Sequence, residues 1–220
     1  MVKEMIKRYV VFILGLFISS LGVSFITKAN LGTSPISSIP YVLSMQFPLT
    51  IGEFTIILSL FLIALQIIIL KRDFKVIDLL QIPVSVAFGY FIDLTMIMLD
   101  WLNPQSYLFQ IIYLLIGCVI LGFGVYLEML GNVIMLPGES FVRSVVKRWK
   151  KNFGNTKVCF DASMTICAGL LSVLFFFQLQ GVREGTIIAA ILVGFIAKFF
   201  DKIFAFLRPL LYTSSGVKNA

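Results

Sequence analysis

Between Val133 and Lys157 the chain reads VIMLPGESFVRSVVKRWKKNFGNTK. A Pro-Gly pair, Pro137 and Gly138, and a carboxylate, Glu139, interrupt an apolar run, and six basic residues follow from Arg143 to Lys157. About a hundred residues earlier, NLGTSPISSIPYVLSMQF from Asn30 to Phe47 has the same outline without a single Lys or Arg. Each stretch reads as a helix opened by proline, Pro35–Phe47 and Pro137–Trp149. Proline suits the first helical turn because its missing N–H would be unpaired there anyway. Thirteen residues each reach about 20 Å at 1.5 Å per residue, short of the ~30 Å hydrocarbon core of a bilayer. Both are therefore expected to be half-helices, re-entrant or lying at the interface.

The rest of the chain supplies the membrane context. Of 220 residues, 59% are hydrophobic and 13% charged, about half the charged share of an ordinary soluble domain. Six stretches look long enough to span: Tyr9–Thr27, Phe54–Leu70, Val76–Leu99, Tyr107–Leu130, Val158–Phe177 and Gly185–Leu207. No small-residue cleavage site follows the first, so it is expected to stay as a span. With the N-terminus in the cytoplasm, sixteen of the eighteen Lys and Arg fall inside, and only Lys28 and Arg183 outside. That asymmetry satisfies the positive-inside rule. An eight-span alternative drags Arg143 and Lys147 through the bilayer at a cost of roughly 2.5–3.5 kcal/mol each. The expected location is the cytoplasmic membrane, with both termini inside. The net charge of +7 is then topological, with some attraction to anionic lipid and no case for nucleic acid.

An internal repeat reinforces this reading. At an offset of 102, Gly15 matches Gly117, Gly22 Gly124, Val23 Val125, Asn30 Asn132, Pro35 Pro137, Ser38 Ser140 and Gly52 Gly154. Each half reads as span, proline-started short helix, span, span. Three spans per half is an odd number, so the second half enters the membrane from the opposite side. The expected fold is all-α: a single membrane domain of six transmembrane helices plus two half-helices, built as two inverted-topology repeats. Repeat one covers about 9–101, repeat two about 107–207, and 208–220 form a cytoplasmic tail.

The stretches ANLGTSPISSIPYVLS, MLPGESFVRSVVK and GVREGTIIAAILVGFIAKFF resemble the YczE/YyaS/YitT family of bacterial multi-pass membrane proteins, over nearly the whole length from about Val11 to Phe200. In that family pattern an acid stands two positions past the proline. Glu139 fills the place after Pro137, whereas Ser37 stands there after Pro35, so the first half departs from the acidic version. The start of the last span resembles the family pattern at Gly181, Gly185, Thr186, Ala190 and Gly194, with Arg183-Glu184 inserted in place of small residues. The resemblance implies the class and supplies no substrate.

Interrupted helices in inverted repeats are a device of secondary transporters, which place the solute site near the midplane. Helix N-termini carry about +0.5 charge and free N–H groups. Two such termini meeting from opposite faces would give a polar site ringed by Asn30, Thr33, Ser34, Pro35, Ser37 and Ser38, with Asn132, Pro137, Gly138, Glu139 and Ser140 from the other half. The alternative is a pair of interfacial turns whose serines and glutamate only cap. Asp93 and Asp161 lie inside spans, where an ionisable group is costly and suggests ion coupling; for Asp161 an i,i+4 pair with Lys157 is the simpler reading.

With no histidine and three cysteines in apolar runs, His-based metal sites and Ser-His triads are excluded, and no enzyme, metal or cofactor is expected. The expected function is a small secondary transporter or exporter of a small polar or anionic solute. The alternative is a membrane-embedded binding or regulatory subunit, such as a substrate-capture component, docking a cytoplasmic partner or anionic lipid through Arg143–Lys157.

Overall fold

In a computed structural model residues 2–205 are described, and side chains from Glu4 onward. The end of the sixth expected span and the tail 208–220 lie outside the described residues. Those residues form eight α-helices: α1 Val2–Lys28, α2 Pro35–Gln46, α3 Ile51–Leu70, α4 Gln81–Met98, α5 Tyr107–Gly131, α6 Pro137–Trp149, α7 Phe153–Phe176 and α8 Glu184–Ile203. Single 3-10 turns, Lys71–Asp73 and Val76–Leu80, join α3 to α4.

Local chemistry sets these limits. Pro35 and Pro137 each occupy the first turn of their helix. α1 and α5 both stop at an asparagine in the left-handed region, Asn30 (φ 59) and Asn132 (φ 42), which asparagine tolerates better than most residues. Thr50 and Glu53 cap the start of α3 reciprocally, the Thr50 N–H donating to Glu53 Oε2 at 2.8 Å and the Glu53 N–H to Thr50 Oγ1 at 3.0 Å. Ser106 and Asn152 cap α5 and α7 with their side chains.

Five helical segments are long and apolar enough to cross a membrane: Glu4–Lys28, Ile51–Asp73, Val76–Met98, Tyr107–Gly131 and Phe153–Phe176. The sixth expected span corresponds to α8. It crowds Lys198, Asp201 and Lys202 into its last six residues, and these charges keep it out of that set.

The axis of the molecule is the antiparallel pair α1 and α5. Gly15 lies against Glu128, Ser19 against Gly124, Gly22 against Leu121 and Ile26 against Gly117. Small residues let the two backbones approach closely, the means by which helices associate where water offers no driving force. A Cβ at Gly22 would collide with the Leu121 backbone. Around this axis α4 packs on α1 and α8 on α5, while α2 packs on α7 and α6 on α3. One apolar cluster joins Val23, Ile26 and Leu31 to Leu114, Cys118, Leu121 and Ala189. Another gathers Leu62, Val142 and Phe160 around Ile36 at the start of α2.

Candidate functional site

The starts of the two short helices meet, but through an apolar contact. The tip of the Ile36 side chain presses on Gly138, so closely that a Cβ there would overlap it. On either side of this contact the polar groups divide into two sets with different neighbours.

The first set is closed. Thr33, Ser34, Pro35, Ser37 and Ser38 are all buried. Thr27 and Thr33 share a hydroxyl hydrogen bond of 2.8 Å, and the Thr33 N–H donates to Thr186 Oγ1 at 3.3 Å. The Ser34 hydroxyl donates to Ser37 Oγ at 2.9 Å, and Ser38 Oγ to the Pro35 carbonyl at 2.5 Å. Gly32, at φ +106, brings the chain past Thr186 where a side chain would collide, and the Gly185 N–H donates to the Leu31 carbonyl at 2.8 Å. Arg183 Nη1 donates to the Asn30 carbonyl at 3.0 Å, sealing the end of α1. Each hydroxyl is spent within the protein, as backbone and side-chain polar groups in a membrane must be.

The second set lines a cavity of about 570 Å³, within the range that holds small ligands. Asn132, Glu139 and Ser140 face it, joined by Glu128 from α5, Gln81 from the start of α4 and Asp201 from α8. Its mouth carries the exposed Asp73, Lys75, Arg143 and Lys147. Its apolar wall includes Leu130, Val133, Ile134 and Leu136. The acids Asp73, Asp78, Glu128, Glu139 and Asp201 outnumber the bases Lys75, Arg143 and Lys147.

Gln81 belongs to the wall, and Gln66 braces it from behind. Ser140 Oγ donates to Gln66 Oε1 at 2.9 Å, Gln81 Nε2 donates to Ser140 Oγ at 3.1 Å, and Gln66 Nε2 donates to the Pro137 carbonyl at 3.2 Å. Both glutamines are almost wholly buried, 1% and 2% exposed, and they tie α3 and α4 to the start of α6. Ser19 Oγ donates to Glu128 Oε1 at 2.5 Å across the α1/α5 crossing. At the end of α5, Arg8 Nε donates to the Gly131 carbonyl at 2.9 Å and its Nη2 to the Asn132 carbonyl.

The expected single ring of polar residues from both halves is thus corrected: the structure makes two separate sites. Asn30, Thr33, Ser34, Pro35, Ser37 and Ser38 do not line the cavity, nor do Pro137 and Gly138. The physical reason is Ile36, whose side chain fills the gap between the helix starts. The two intraspan acids are engaged elsewhere. Asp93 caps α3, accepting from Thr50 Oγ1 at 2.7 Å and from the Gly52 N–H at 2.9 Å. Asp161 pairs with Lys157 Nζ at 2.7 Å, the simpler reading of the two. Glu128, Gln66 and Gln81 escaped the sequence reading. Glu128 carried the same signal as Asp93, an acid within an apolar helix.

The fold and this buried polar lining define a helical, multi-span membrane protein. The chain belongs to a family of unknown function, DUF6198, whose profile matches residues 6–202. It is similar to the uncharacterized membrane protein YczE of Bacillus subtilis (strain 168), 27% identical over 207 residues that cover 90% of this chain and 87% of the relative. It is also similar to the uncharacterized protein YyaS of the same organism, 28% identical over 124 residues, 55% of this chain and 60% of the relative. The resemblance read from the three stretches of sequence therefore holds for YczE and YyaS. No solved structure matches the chain.

Proposed function

We propose that this protein is a small secondary transporter or exporter of a small polar solute, which enters the cavity from the basic end of the bundle. The observation that carries the reading is the cavity itself, lined by carboxylates and amides, with the exposed Arg143 and Lys147 at its rim. A polar cavity within such a helical bundle is where a carrier of this kind places its solute site. In this reading Glu128 and Glu139, which face the cavity, take the role that sequence patterning assigns to Asp93 and Asp161.

The accompanying architecture is two inverted repeats with α8 as the sixth span and the basic end in the cytoplasm. Its support is the reciprocity of the α1/α5 contacts. Moving the contact of Gly15 with Glu128 by the repeat offset turns it into that of Ile26 with Gly117, and Gly22 with Leu121 becomes Ser19 with Gly124. Paired contacts of this kind are the signature of a two-fold axis. The packing of α4 on α1 and α8 on α5, and of α2 on α7 and α6 on α3, is reciprocal in the same way.

The test is flux into proteoliposomes of defined orientation, over a panel of small polar solutes, with Glu139→Gln beside the native protein. Uptake that saturates with concentration and is lost in the variant supports the reading; absence of flux for every solute class defeats it. A second reading, docking of a cytoplasmic partner or anionic lipid, is favoured by the exposed Arg148, Lys150 and Lys151, which make no ion pair among the described residues. Loss of flotation with anionic vesicles, or of partner capture, on replacing the three by glutamine supports it.

A further inference from the structure

We infer that the cavity takes a small protonated amine, a primary or secondary ammonium on a short apolar chain, with Glu139 as its counter-ion. The inference rests on the cavity of the transporter reading and names its ligand class.

Glu139 is the carboxylate left over. Around the cavity Asp73 lies 3.9 Å from the Lys147 ammonium, Asp78 accepts from the Lys75 N–H at 3.1 Å, Glu128 accepts from Ser19, and Asp201 is engaged as well. Glu139, half-buried, has no hydrogen bond or ion pair among the described residues and faces the cavity. Lys157, whose charge it feels, is already held by Asp161 at 2.7 Å. Arg143 stands one turn further along α6, where an i,i+4 pair could form. Its guanidinium instead reaches the Met135 sulfur at 3.4 Å. Desolvation without a counter-charge pushes the Glu139 carboxyl above its ordinary range, while its place in the first turn of α6 favours its charged form. A bound cation supplies what the protein leaves out.

The remaining lining narrows the class. An anion would face an excess of carboxylates, and Glu139 already occupies the first turn of α6. Among the described residues the lining contains no aromatic ring, and so none of the cage by which proteins hold quaternary ammonium groups. An N–H-bearing ammonium can instead donate to Glu139 and to the oxygens of Gln81 and Ser140. Leu130 and Ile134 then offer apolar surface to a short alkyl chain.

The experiment measures thermal unfolding of the full chain in detergent at neutral pH and constant ionic strength, with n-butylammonium chloride, tetramethylammonium chloride or sodium butyrate. A ligand bound by the folded form alone raises the unfolding midpoint. Butylammonium is expected to raise it, tetramethylammonium to do so less, and butyrate not at all. Glu139→Gln should weaken butylammonium about tenfold or more, the scale of a lost charged hydrogen bond. Arg143→Gln, which removes a like charge from the mouth, should strengthen it, so the test stands even if the first variant folds poorly. Stabilisation by butyrate in place of butylammonium, an unchanged butylammonium effect in Glu139→Gln, or no shift with any probe overturns the inference. Butylammonium binding without flux in proteoliposomes defeats the transporter reading alone. Saturable flux of another solute without amine binding defeats only this one.

Discussion

The starts of α2 and α6 derive from matching stretches of sequence and meet at one point, yet their surroundings are opposite. Around Pro35 every hydroxyl has a partner inside the protein. Around Pro137 the hydroxyl of Ser140 belongs to a wall that opens on a cavity, and the neighbouring carboxylate has none. The residue two places after each proline marks the difference: Ser37 accepts from Ser34 within its own helix start, whereas Glu139, behind a leucine cap, makes no such bond and faces the cavity. A repeated backbone device has thus been filled in one copy and left open in the other.

Several measurements could break that contrast. The largest effect expected is in cysteine accessibility. In a background lacking Cys118, Cys159 and Cys167, Ser140→Cys should react with a water-soluble maleimide while Ser37→Cys, at a position 3% exposed in the native protein, stays unmodified. Equal reaction of the two would abolish the distinction.

Next is the contact between the helix starts. Gly138→Leu forces a side chain into the space held by Ile36 and should cost about 1–3 kcal/mol of stability, the range for overpacking. Adding Ile36→Ala should return part of that loss; a strictly additive double variant would show that the two residues do not share the space.

Smaller again is the hydrogen-bond comparison. Ser140→Ala strips buried Gln66 and Gln81 of a partner each and should cost about 1–3 kcal/mol, the penalty of leaving buried polar groups unmatched. Ser37→Ala removes only an acceptor for Ser34 and should stay near the lower end. Chemical unfolding of both in one detergent checks the order.

The smallest effect lies outside both sites. Lys28 donates to Asp100 at 2.9 Å and, with its charge, holds that exposed carboxyl below the usual carboxylate range. A carboxyl lowered in this way contributes stability above its unfolded value and loses it as pH falls through its folded value. Asp100→Asn should therefore lower the melting temperature slightly at neutral pH, leave it unchanged at the acid end, and flatten the slope between the two.

Much of this architecture was legible in the order of residues. The proline-started helices appear at Pro35–Gln46 and Pro137–Trp149, within a residue of expectation, because proline placement is a local constraint. Among the described residues, five of the six expected spans have membrane-crossing length and apolarity because hydropathy sums along the chain. The site was legible only in its second half. That Ile36 would plug the gap depends on how α2 and α6 approach through α3 and α7, which no local pattern encodes. Gln66 and Gln81, one inside an apolar helix and the other at the head of one, gain their meaning only when the turns between Lys71 and Leu80 fold them together. Glu128 shows a different failure: its signal was present in LEML, and the glycines nearby drew attention to packing instead.

The two arginines at the ends of the central pair have a consequence for how the chain is held together. Arg183 closes α1 from the second half, and Arg8 closes α5 from the first. Each half thus carries the clasp for the other, beside the connector that buries Leu102 and Pro104. Severed there and produced as two fragments, the protein has what it needs to find itself again.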